Sequence, residues 1–508
     1  MYPPMPPEMT RRQILKTATA LPLAFAAAPF TAIRSSAAET RYEATWDSID
    51  KRPCPAWYED AKFGIFIHWG VYSVPSFAPP RAKGQTPYAE WYWNSLTEGK
   101  AGKPRGAATW DFHKRVYGAD FEYKDFAPRF RAEMFDPDQW AKIFERSGAK
   151  YIVPTSKHHD GFAIWPSAEA DKTWGRPWNA VSTGPKRDLL GDLSKSVRAQ
   201  GLHMGFYYSL YEWYNPLWLS DKQRYIREHM FPQFKDVVTR YKPDIIFSDG
   251  EWELDSSQWH TPELMAWLFN DSPAKENVVI DDRWGKDTRH KHGGYFTTEY
   301  TAGLATGGHP WEESRGMGFS YGYNRAESLQ DYHTARELTL MLIDLVSRGG
   351  NLLLDIGPTG DGRIPVIMEQ RLTEIGDWLR VNGEAIYGTR NWRKTRQWSA
   401  GTVPNFEEKQ FMSEYDIRKL VDEPKPGMAH IEAFFTKKGN DVFAIVPRRL
   451  PGEIMIADVK ASGATLLETG DKLNVRATNG GVAITIPAGL RERLPERVAH
   501  CIRLAGAA

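Results

Sequence analysis

The sequence predicts an α/β protein built from a (β/α)8-like barrel followed by a C-terminal antiparallel β-sandwich. Between residues 63 and 381, short apolar runs typical of buried strands alternate with amphipathic segments of helical period. Polar or aromatic side chains follow these runs all along the chain. Beyond residue 395, short β-branched runs separated by turn residues replace the alternation. We therefore divide the chain into a targeting segment (1–38), a barrel (39–395) and a β-sandwich (396–508).

The predicted barrel strands are apolar runs with little polar alternation. Such runs are typical of parallel strands that are buried on both faces. The clearest is Ile245–Phe247, which ends in Asp249, Gly250 and Glu251. In chain order, the predicted strands are Phe63–Gly70, Ala149–Pro154, Met204–Tyr208, Ile245–Phe247, Val278–Asp281, Tyr295–Tyr300 and Leu352–Ile356.

The predicted helices carry an apolar stripe at helical spacing and have recognisable ends. The first begins at Asp136, which is followed by proline, and ends at Gly148. An aspartate cap, a first-turn proline and a terminal glycine are the expected boundary residues of a helix. The other predicted helices are Asp188–Gln200, Phe231–Tyr241, Ser328–Arg348 and Glu369–Val381.

A doubly wound open sheet is the structural alternative to the barrel. It is disfavoured because no Gly-x-Gly-x-x-Gly follows the first strand, and because polar strand ends recur along the whole chain instead of at one switch point. The segment Val71–Phe121 is rich in proline and glycine, and we expect it to form an active-site loop without regular structure.

The C-terminal region contains four runs typical of short antiparallel strands, and no helix pattern lies between them. We expect this sandwich to pack against the barrel, with a carbohydrate-binding role as the alternative. The predicted strands are Ile431–Phe435, Val442–Val446, Ile454–Ala457 and Val482–Ile486.

The N-terminus is typical of a twin-arginine signal. Arg11 and Arg12 precede a weakly apolar, alanine-rich stretch that ends in small residues, with a cleavage position after Ala38. Prolines interrupt the stretch, so a permanent transmembrane helix is the weaker interpretation, and no stable membrane insertion is expected. The segment predicts folded export to a bacterial periplasm or beyond.

The composition excludes some partners and leaves other questions open. The 65 basic and 64 acidic residues give a formal net charge of +1, which provides no electrostatic footprint for nucleic acid. The only two cysteines, Cys54 and Cys501, cannot form a disulfide framework, and the sequence leaves their pairing open. A homo-oligomer is compatible with the sequence.

Seven side chains at the predicted strand ends are expected to meet, because the carboxyl ends of all barrel strands form one face. Packing would explain any single one of them equally well, but the whole set indicates a site. The seven are His68, His158, His159, Tyr207, Asp249, Arg283 and Glu299. Further acids are Glu251 and Glu253 beside Asp249, and Glu312 and Glu313, which we expect in the loop after Glu299.

Two kinds of chemistry suit such a face. A metal-dependent hydrolase would use spaced histidines after the first strand, but no second histidine lies close to His68. His158 and His159 are adjacent and point in opposite directions if the chain is extended, which disfavours one shared ion. Hydrolysis of a glycoside by two carboxylates fits better, with tryptophans and histidines holding the sugar.

Six long motifs occur in order along the chain: FGIFIHWGVYSVP (63–75), AEWY (89–92), KHHDGF (157–162), GPKRDLLGDL (184–193), DRWG (282–285) and NLLLDIGPTGDG (351–362). With the β-rich C-terminal region they cover nearly all of the chain after the targeting segment. Together they resemble the α-L-fucosidases of glycoside hydrolase family 29.

The resemblance implies a (β/α)8-like barrel with a β-sandwich, a retaining mechanism and a fucosylated oligosaccharide or glycoconjugate as substrate. No cofactor and no metal are expected. Asp249 matches the nucleophile, although Ser248 stands where the family commonly has asparagine, and Glu299 matches the acid/base, with Glu312 as the alternative. The fucose contacts implied are His68, Glu90, Trp91, His158, His159, Tyr207 and Arg283.

Two other functions remain open at this stage. One is an exo-glycosidase barrel acting on another sugar, such as an α-galactoside that shares the hydroxyl pattern of fucose. The other is a non-catalytic fucose-binding protein, which would need neither an attacking carboxylate nor a proton donor. The fucosyl linkage that is cleaved cannot be read from the sequence.

Overall fold

The computed structural model describes residues 41–80, 83–304, 308–404 and 415–508. The predicted signal and its cleavage position after Ala38 lie outside these ranges. Residues Tyr42–Ala508 form one compact unit. Within the described ranges, no helix is long and apolar enough to cross a membrane.

The barrel sheet contains nine strand segments, all paired in parallel. Its order is β6-β5-β4-β2-β1-β9-β8-β7, and β3 pairs with β2 just ahead of β4. Gly205 separates β3 from β4, and a Cβ there would lie 2.5 Å from the carbonyl oxygen of Ile245. The segments are β1 (Phe63–Ile67), β2 (Tyr151–Lys157), β3 (His203–Met204), β4 (Phe206–Ser209), β5 (Ile245–Asp249), β6 (Val279–Ile280), β7 (Phe296–Glu299), β8 (Trp311–Gly316) and β9 (Asn351–Ile356).

The sheet curls so that β6 and β7 approach each other, although these strands form no ladder in the described chain. The backbone N–H groups of Gly294 and Tyr295 donate to the carbonyl of Ile280 instead. The carboxylate of Asp282 accepts hydrogen bonds from the backbone and hydroxyl of Thr297. Side-chain contacts therefore close the curled sheet into a barrel-like shape, which confirms the predicted fold class.

Helices surround this sheet. Asp136 caps α3 with hydrogen bonds to two backbone N–H groups, and Gly148 ends that helix in the left-handed conformation, both as predicted. The longer helices are α1 (Tyr92–Lys100), α2 (Ala107–Val116), α3 (Pro137–Ser147), α4 (Leu189–Ala199), α5 (Phe231–Tyr241), α6 (Thr261–Asn270), α7 (Ala335–Ser347) and α8 (Val366–Asn382). Shorter α-helices cover Trp46–Ile49, Ala56–Ala61, Ala168–Trp174, Pro216–Ser220, Lys222–Tyr225, Ser256–Trp259, Ile417–Val421 and Ala488–Arg493.

Two expectations for the barrel are wrong. The segment Val71–Phe121 was expected to lack regular structure, but it contains α1 and α2. The many prolines and glycines around these two helices hid their helical pattern in the sequence. Glu312 and Glu313 were expected in a loop, but they lie in β8. Polar partners meet both faces of this strand: Glu312 and Ser314 point inward to buried tyrosines and the cavity, and Glu313, on the other face, accepts hydrogen bonds from Thr298 and Thr301.

The C-terminal strands form an antiparallel sheet in the order β10-β11-β12-β17-β14-β15-β16-β13. The first, β10, begins at Arg390, so antiparallel pairing starts before the predicted boundary at residue 395. Asp344 of α7 joins this sheet to the barrel by ion-pairing with Arg396 of β10. The strands are β10 (Arg390–Trp398), β11 (Ile431–Lys438), β12 (Asp441–Val446), β13 (Glu453–Ala457), β14 (Gly463–Leu466), β15 (Lys472–Thr478), β16 (Gly481–Thr485) and β17 (His500–Ala505).

Candidate active site

A cavity of about 340 Å³ opens at the carboxyl ends of the barrel strands. Eight of the nine site residues that the sequence predicted line this cavity. The ninth, His159, does not line it but contacts Asp249, which does. Its walls combine aromatic rings with convergent charged groups, which is the composition of a sugar-binding pocket. The predicted residues that line it are His68, Glu90, Trp91, His158, Tyr207, Asp249, Arg283 and Glu299.

Asp249 is the last residue of β5, and it enters the cavity as an almost completely buried carboxylate. One oxygen, Oδ2, accepts a hydrogen bond from the hydroxyl of Tyr207 at 2.9 Å and lies 3.4 Å from Nε2 of His159. The other, Oδ1, accepts from Arg283 at 3.1 Å. Burial alone would raise the pKa of Asp249, but the bond to His159 and the charge of Arg283 hold that pKa well below its usual range.

Arg283 connects the two carboxylates that the sequence assigned to catalysis. Its two terminal nitrogens donate to different partners, Asp249 at 3.1 Å and Glu299 Oε2 at 3.2 Å. Its Nε donates to Thr297 Oγ1 at 2.9 Å, and the guanidinium carbon lies 4.8 Å from the ring centre of Phe247. Glu299, at the end of β7, is more exposed than Asp249, with a side chain 20% exposed. One fixed cation thus holds both acids at the same cavity.

His158 and His159 lie in a turn beyond the end of β2. The chain is not extended here, so the condition under which the two side chains would point in opposite directions is not met, and their rings are 4.2 Å apart between centres. His158 stacks on Tyr207 and lines the cavity. Nδ1 of His159 lies 2.6 Å from the hydroxyl oxygen of Ser209, and that hydroxyl itself donates to the carbonyl of Tyr211. Nδ1 is therefore the donor to Ser209, and Nε2 faces Asp249.

Two further acids, Asp355 and Glu90, form hydrogen bonds that fix another part of the cavity wall. Nδ1 of His68 pairs with Asp355 of β9 at 2.7 Å, and burial lowers the pKa of His68 to about 3. Glu90 accepts hydrogen bonds from the hydroxyl of Ser320 at 3.1 Å and from the backbone of Gly322 at 2.8 Å. Burial raises the pKa of Glu90 to about 7. These partners fix both side chains before any ligand binds.

A buried charge cluster supports the loops that carry the histidines. Lys157, one residue before His158, pairs with Glu212 at 2.7 Å, and His229 contacts the same carboxylate oxygen at 2.7 Å. The second oxygen accepts from Trp174 and Asn215. Since every lone-pair direction of Glu212 has a donor, the loops after β2 and β4 are locked to each other.

Several functional neighbours were not predicted from the sequence. Asp355 and Ser209 hold the two histidines; Asp355 lies in the motif at 351–362, but no role was assigned to it, and Ser209 had only its strand-end position as a signal. Other unpredicted lining residues are Phe66, Tyr88, Phe247, Trp252, Arg289, Ser314 and Tyr321. Within the described chain, no group of three or more His, Cys, Asp or Glu side chains is arranged to hold a metal ion.

Glu312, the alternative acid, does not line the cavity. It lies on the inward side of β8, two residues before Ser314, which is paired with Glu299. Its Oε2 accepts hydrogen bonds from Tyr58 at 3.0 Å and Tyr151 at 2.5 Å. Burial raises the pKa of Glu312 to about 7. The geometry therefore favours Glu299 as the acid that can reach a ligand.

Comparison with known proteins gives a consistent family. The α-L-fucosidase family model matches residues 30–384. The chain is 39% identical over 489 residues to an α-L-fucosidase of Branchiostoma floridae, covering 93% of this chain and 97% of that protein. It is 40% identical over 413 residues to the tissue α-L-fucosidase of Homo sapiens, covering 80% and 83%. The crystal structure of Thermotoga maritima α-fucosidase matches with a TM-score of 0.74 and 36% identity, covering 92% of this chain and 100% of that one.

The barrel, the cavity at its carboxyl-end face and these relatives define the protein as a glycoside hydrolase. The chain belongs to the α-L-fucosidase family. The fold, the family and the enzyme class predicted from the sequence are thus confirmed, and the activity to be accounted for is hydrolysis of fucosyl bonds.

Replacing Glu312 by glutamine should stabilise the protein at alkaline pH relative to wild type. An acid whose folded pKa is raised contributes stability that is present below its unfolded pKa and lost as pH rises through the folded value, here about 7. Glutamine cannot ionise, so the difference in unfolding free energy should grow in favour of Glu312→Gln as the pH rises from about 4.5 to about 7 and should level off above that, measured by urea denaturation.

Glu263→Gln is the matched control, because Glu263 is exposed and pairs with Arg227 at the surface. It should show no such trend. A pH-independent difference between Glu312→Gln and wild type would contradict a raised pKa of Glu312 in the folded protein.

Proposed function

We propose that the protein is a retaining exo-glycosidase that removes terminal α-L-fucosyl residues from glycans or glycoconjugates, with Asp249 as nucleophile and Glu299 as acid/base. The observation that carries the proposal is that both carboxylates meet at one cavity and bond to the same guanidinium, that of Arg283. A retaining mechanism needs two carboxyl groups flanking the scissile bond at close range.

In the first step, an Asp249 oxygen attacks the anomeric carbon while Glu299 gives its proton to the departing glycosidic oxygen. The bond between the anomeric carbon and that oxygen breaks, and a fucosyl ester of Asp249 forms. In the second step, Glu299 takes a proton from water, the hydroxide oxygen attacks the anomeric carbon, and the ester bond breaks to regenerate Asp249. The pKa of Asp249 lies well below its usual range, so it is ready to attack at neutral pH.

The remaining predicted residues have positions suited to holding the sugar. His68, Glu90 and His158 line the cavity; His68 and Glu90 are held by hydrogen bonds of their own, and His158 stacks on Tyr207. Trp91 lines the cavity and provides an aromatic surface for the C–H face of a pyranose ring. A fucose-bound complex is known for the Thermotoga maritima α-fucosidase, which supports assigning fucose to this cavity.

Asp249→Gly should lower turnover of every fucoside by on the order of 10⁴-fold, because no other group in the cavity is placed to form the ester. Added azide should restore part of the rate by attacking the anomeric carbon directly and should give the β-configured fucosyl azide. Product configuration by NMR is the measurement. If Asp249→Gly keeps most of its activity on aryl α-L-fucosides, the proposed mechanism fails.

Glu299→Ala should reduce hydrolysis of fucosides with poor leaving groups by about 10²–10⁴-fold, and should affect activated aryl fucosides far less, because those leaving groups need little protonation. Azide should then intercept the ester and give the α-configured azide. Glu312→Ala serves as the matched variant and should show no leaving-group dependence. The opposite pattern in the two variants would transfer the acid/base role to Glu312.

We infer that the chain is exported in folded form through its twin-arginine segment, with Arg11 and Arg12 read by the export machinery. Replacing both by lysine should retain the precursor in the cytoplasm of a bacterial host, measured as fucosidase activity in periplasmic and cytoplasmic fractions. Unchanged periplasmic activity would contradict the signal assignment.

A further inference from the structure

Beside Asp249 lies a second ion pair to which the reaction described above assigns no role. Glu251, two residues after Asp249, is almost completely buried, and its Oε1 accepts a hydrogen bond from Nε of Arg289 at 2.6 Å. Arg289 lines the cavity, and its side chain is 37% exposed. Nη2 of the same guanidinium lies 3.9 Å from Oδ1 of Asp249. Arg289 is therefore bonded to Glu251 and only near Asp249.

The side chain of Glu251 makes no other hydrogen bond among the described residues. Its Oε2 is buried and has no hydrogen-bond partner within the described parts of the chain. The charged groups that face it are Arg289, Asp249 and Arg283, and its pKa is raised, mainly by burial and also by Asp249. Burying a carboxylate with an unpartnered oxygen destabilises the fold unless a nearby cation compensates its charge. The cation bonded to Glu251 is Arg289.

We propose that Glu251 is a positioning residue for catalysis: it holds Arg289 at ion-pair distance from Asp249 and prevents that arginine from binding the nucleophile directly. This inference rests on the proposed function of the cavity. Arg283 already donates to Oδ1 of Asp249, and a second guanidinium bonded to that oxygen would stabilise its charge further in the ground state and leave it less free to attack. At 3.9 Å, Arg289 still favours ionised Asp249, while Glu251 takes its hydrogen bond.

The pair also keeps the cavity charges matched through the reaction. Before attack, Arg283 faces ionised Asp249, and Arg289 faces Glu251. When the ester forms, Asp249 becomes neutral, and Glu299, having lost its proton to the leaving group, becomes the anion beside Arg283. Arg289 keeps Glu251 as its partner in both states. Without Glu251, Arg289 would lose its counterion in the ester, so forming the ester would be harder.

The test compares Glu251→Gln, Arg289→Gln and the double variant, each assayed for kcat and KM on an aryl α-L-fucoside. Glu251→Gln keeps the shape but removes the charge, and it should lower kcat/KM by roughly 10- to 100-fold with KM little changed. The double variant removes the unpaired cation as well, and it should be more active than Glu251→Gln alone. Such non-additivity indicates direct coupling between the two side chains.

Opposite shifts in pH profile provide a second readout, which a purely structural role would not produce. Losing the Arg289 cation should move the acid limb of kcat/KM to higher pH, since Asp249 is then easier to protonate, and Arg289→Lys should restore most of that shift. Losing the Glu251 charge should move the limb to lower pH, because the negative charge that makes Asp249 easier to protonate is gone. Glu253→Gln is the matched control, because Glu253 is exposed, pairs with Lys222 and lies outside the cavity.

Wild-type activity on an aryl α-L-fucoside and its loss in Asp249→Gly are measured alongside. If wild type does not hydrolyse the fucoside, or if Asp249→Gly still does, the proposed function fails. If both results are as expected, but Glu251→Gln behaves like Glu253→Gln, or the double variant shows simple additivity with no opposite pH shifts, then this inference alone is overturned. Thermal unfolding midpoints of all variants separate lost activity from lost fold.

Discussion

Burying the Asp249 carboxylate at the end of a barrel strand is the constraint on which the cavity depends. A carboxylate without water needs compensation, and Arg283 supplies it only if its guanidinium is held still. Thr297 fixes its Nε, the ring of Phe247 covers one face, and Asp282 in turn holds Thr297. The same contacts join β6 to β7, where the sheet forms no ladder in the described chain. Barrel closure and charge compensation therefore depend on one set of residues.

The histidines of the site are held in the same way, by partners at other strand ends. His159 is held by Ser209, His68 by Asp355, and the loop before His158 by the pair of Lys157 and Glu212. These supports come from β2, β4, β9 and the loop after β4. The parallel arrangement brings these ends to one face, so residues far apart in sequence become direct neighbours. The cavity is consequently rigid in the directions that would matter for orienting a sugar.

Strand ends were the part of the site that the sequence could predict. Asp249, Arg283 and Glu299 follow runs of buried residues, and the chain places all three at the cavity. The supports were harder to recognise, because Ser209 looks like any packed or capping serine, and the motif that contains Asp355 does not by itself show which side chain Asp355 holds. Strand β8 escaped prediction for a physical reason. Its inward residues are polar because they face buried tyrosines and the cavity, so the apolar signature of a core strand is missing.

Missing β8 also explains why the sequence could not choose between two acids. Glu312 and Ser314 share the inward face of β8, and pairing with β7 places Ser314, not Glu312, level with Glu299. Two residues along a strand correspond to about 6–7 Å, which separates the cavity from the layer of tyrosines beneath it. Side chains at the lower level meet Tyr58 and Tyr151 and have no path to a ligand in the cavity. In a barrel, the position of an acid along its strand decides between chemistry and packing, and that position is defined only when the neighbouring strand and its register are known.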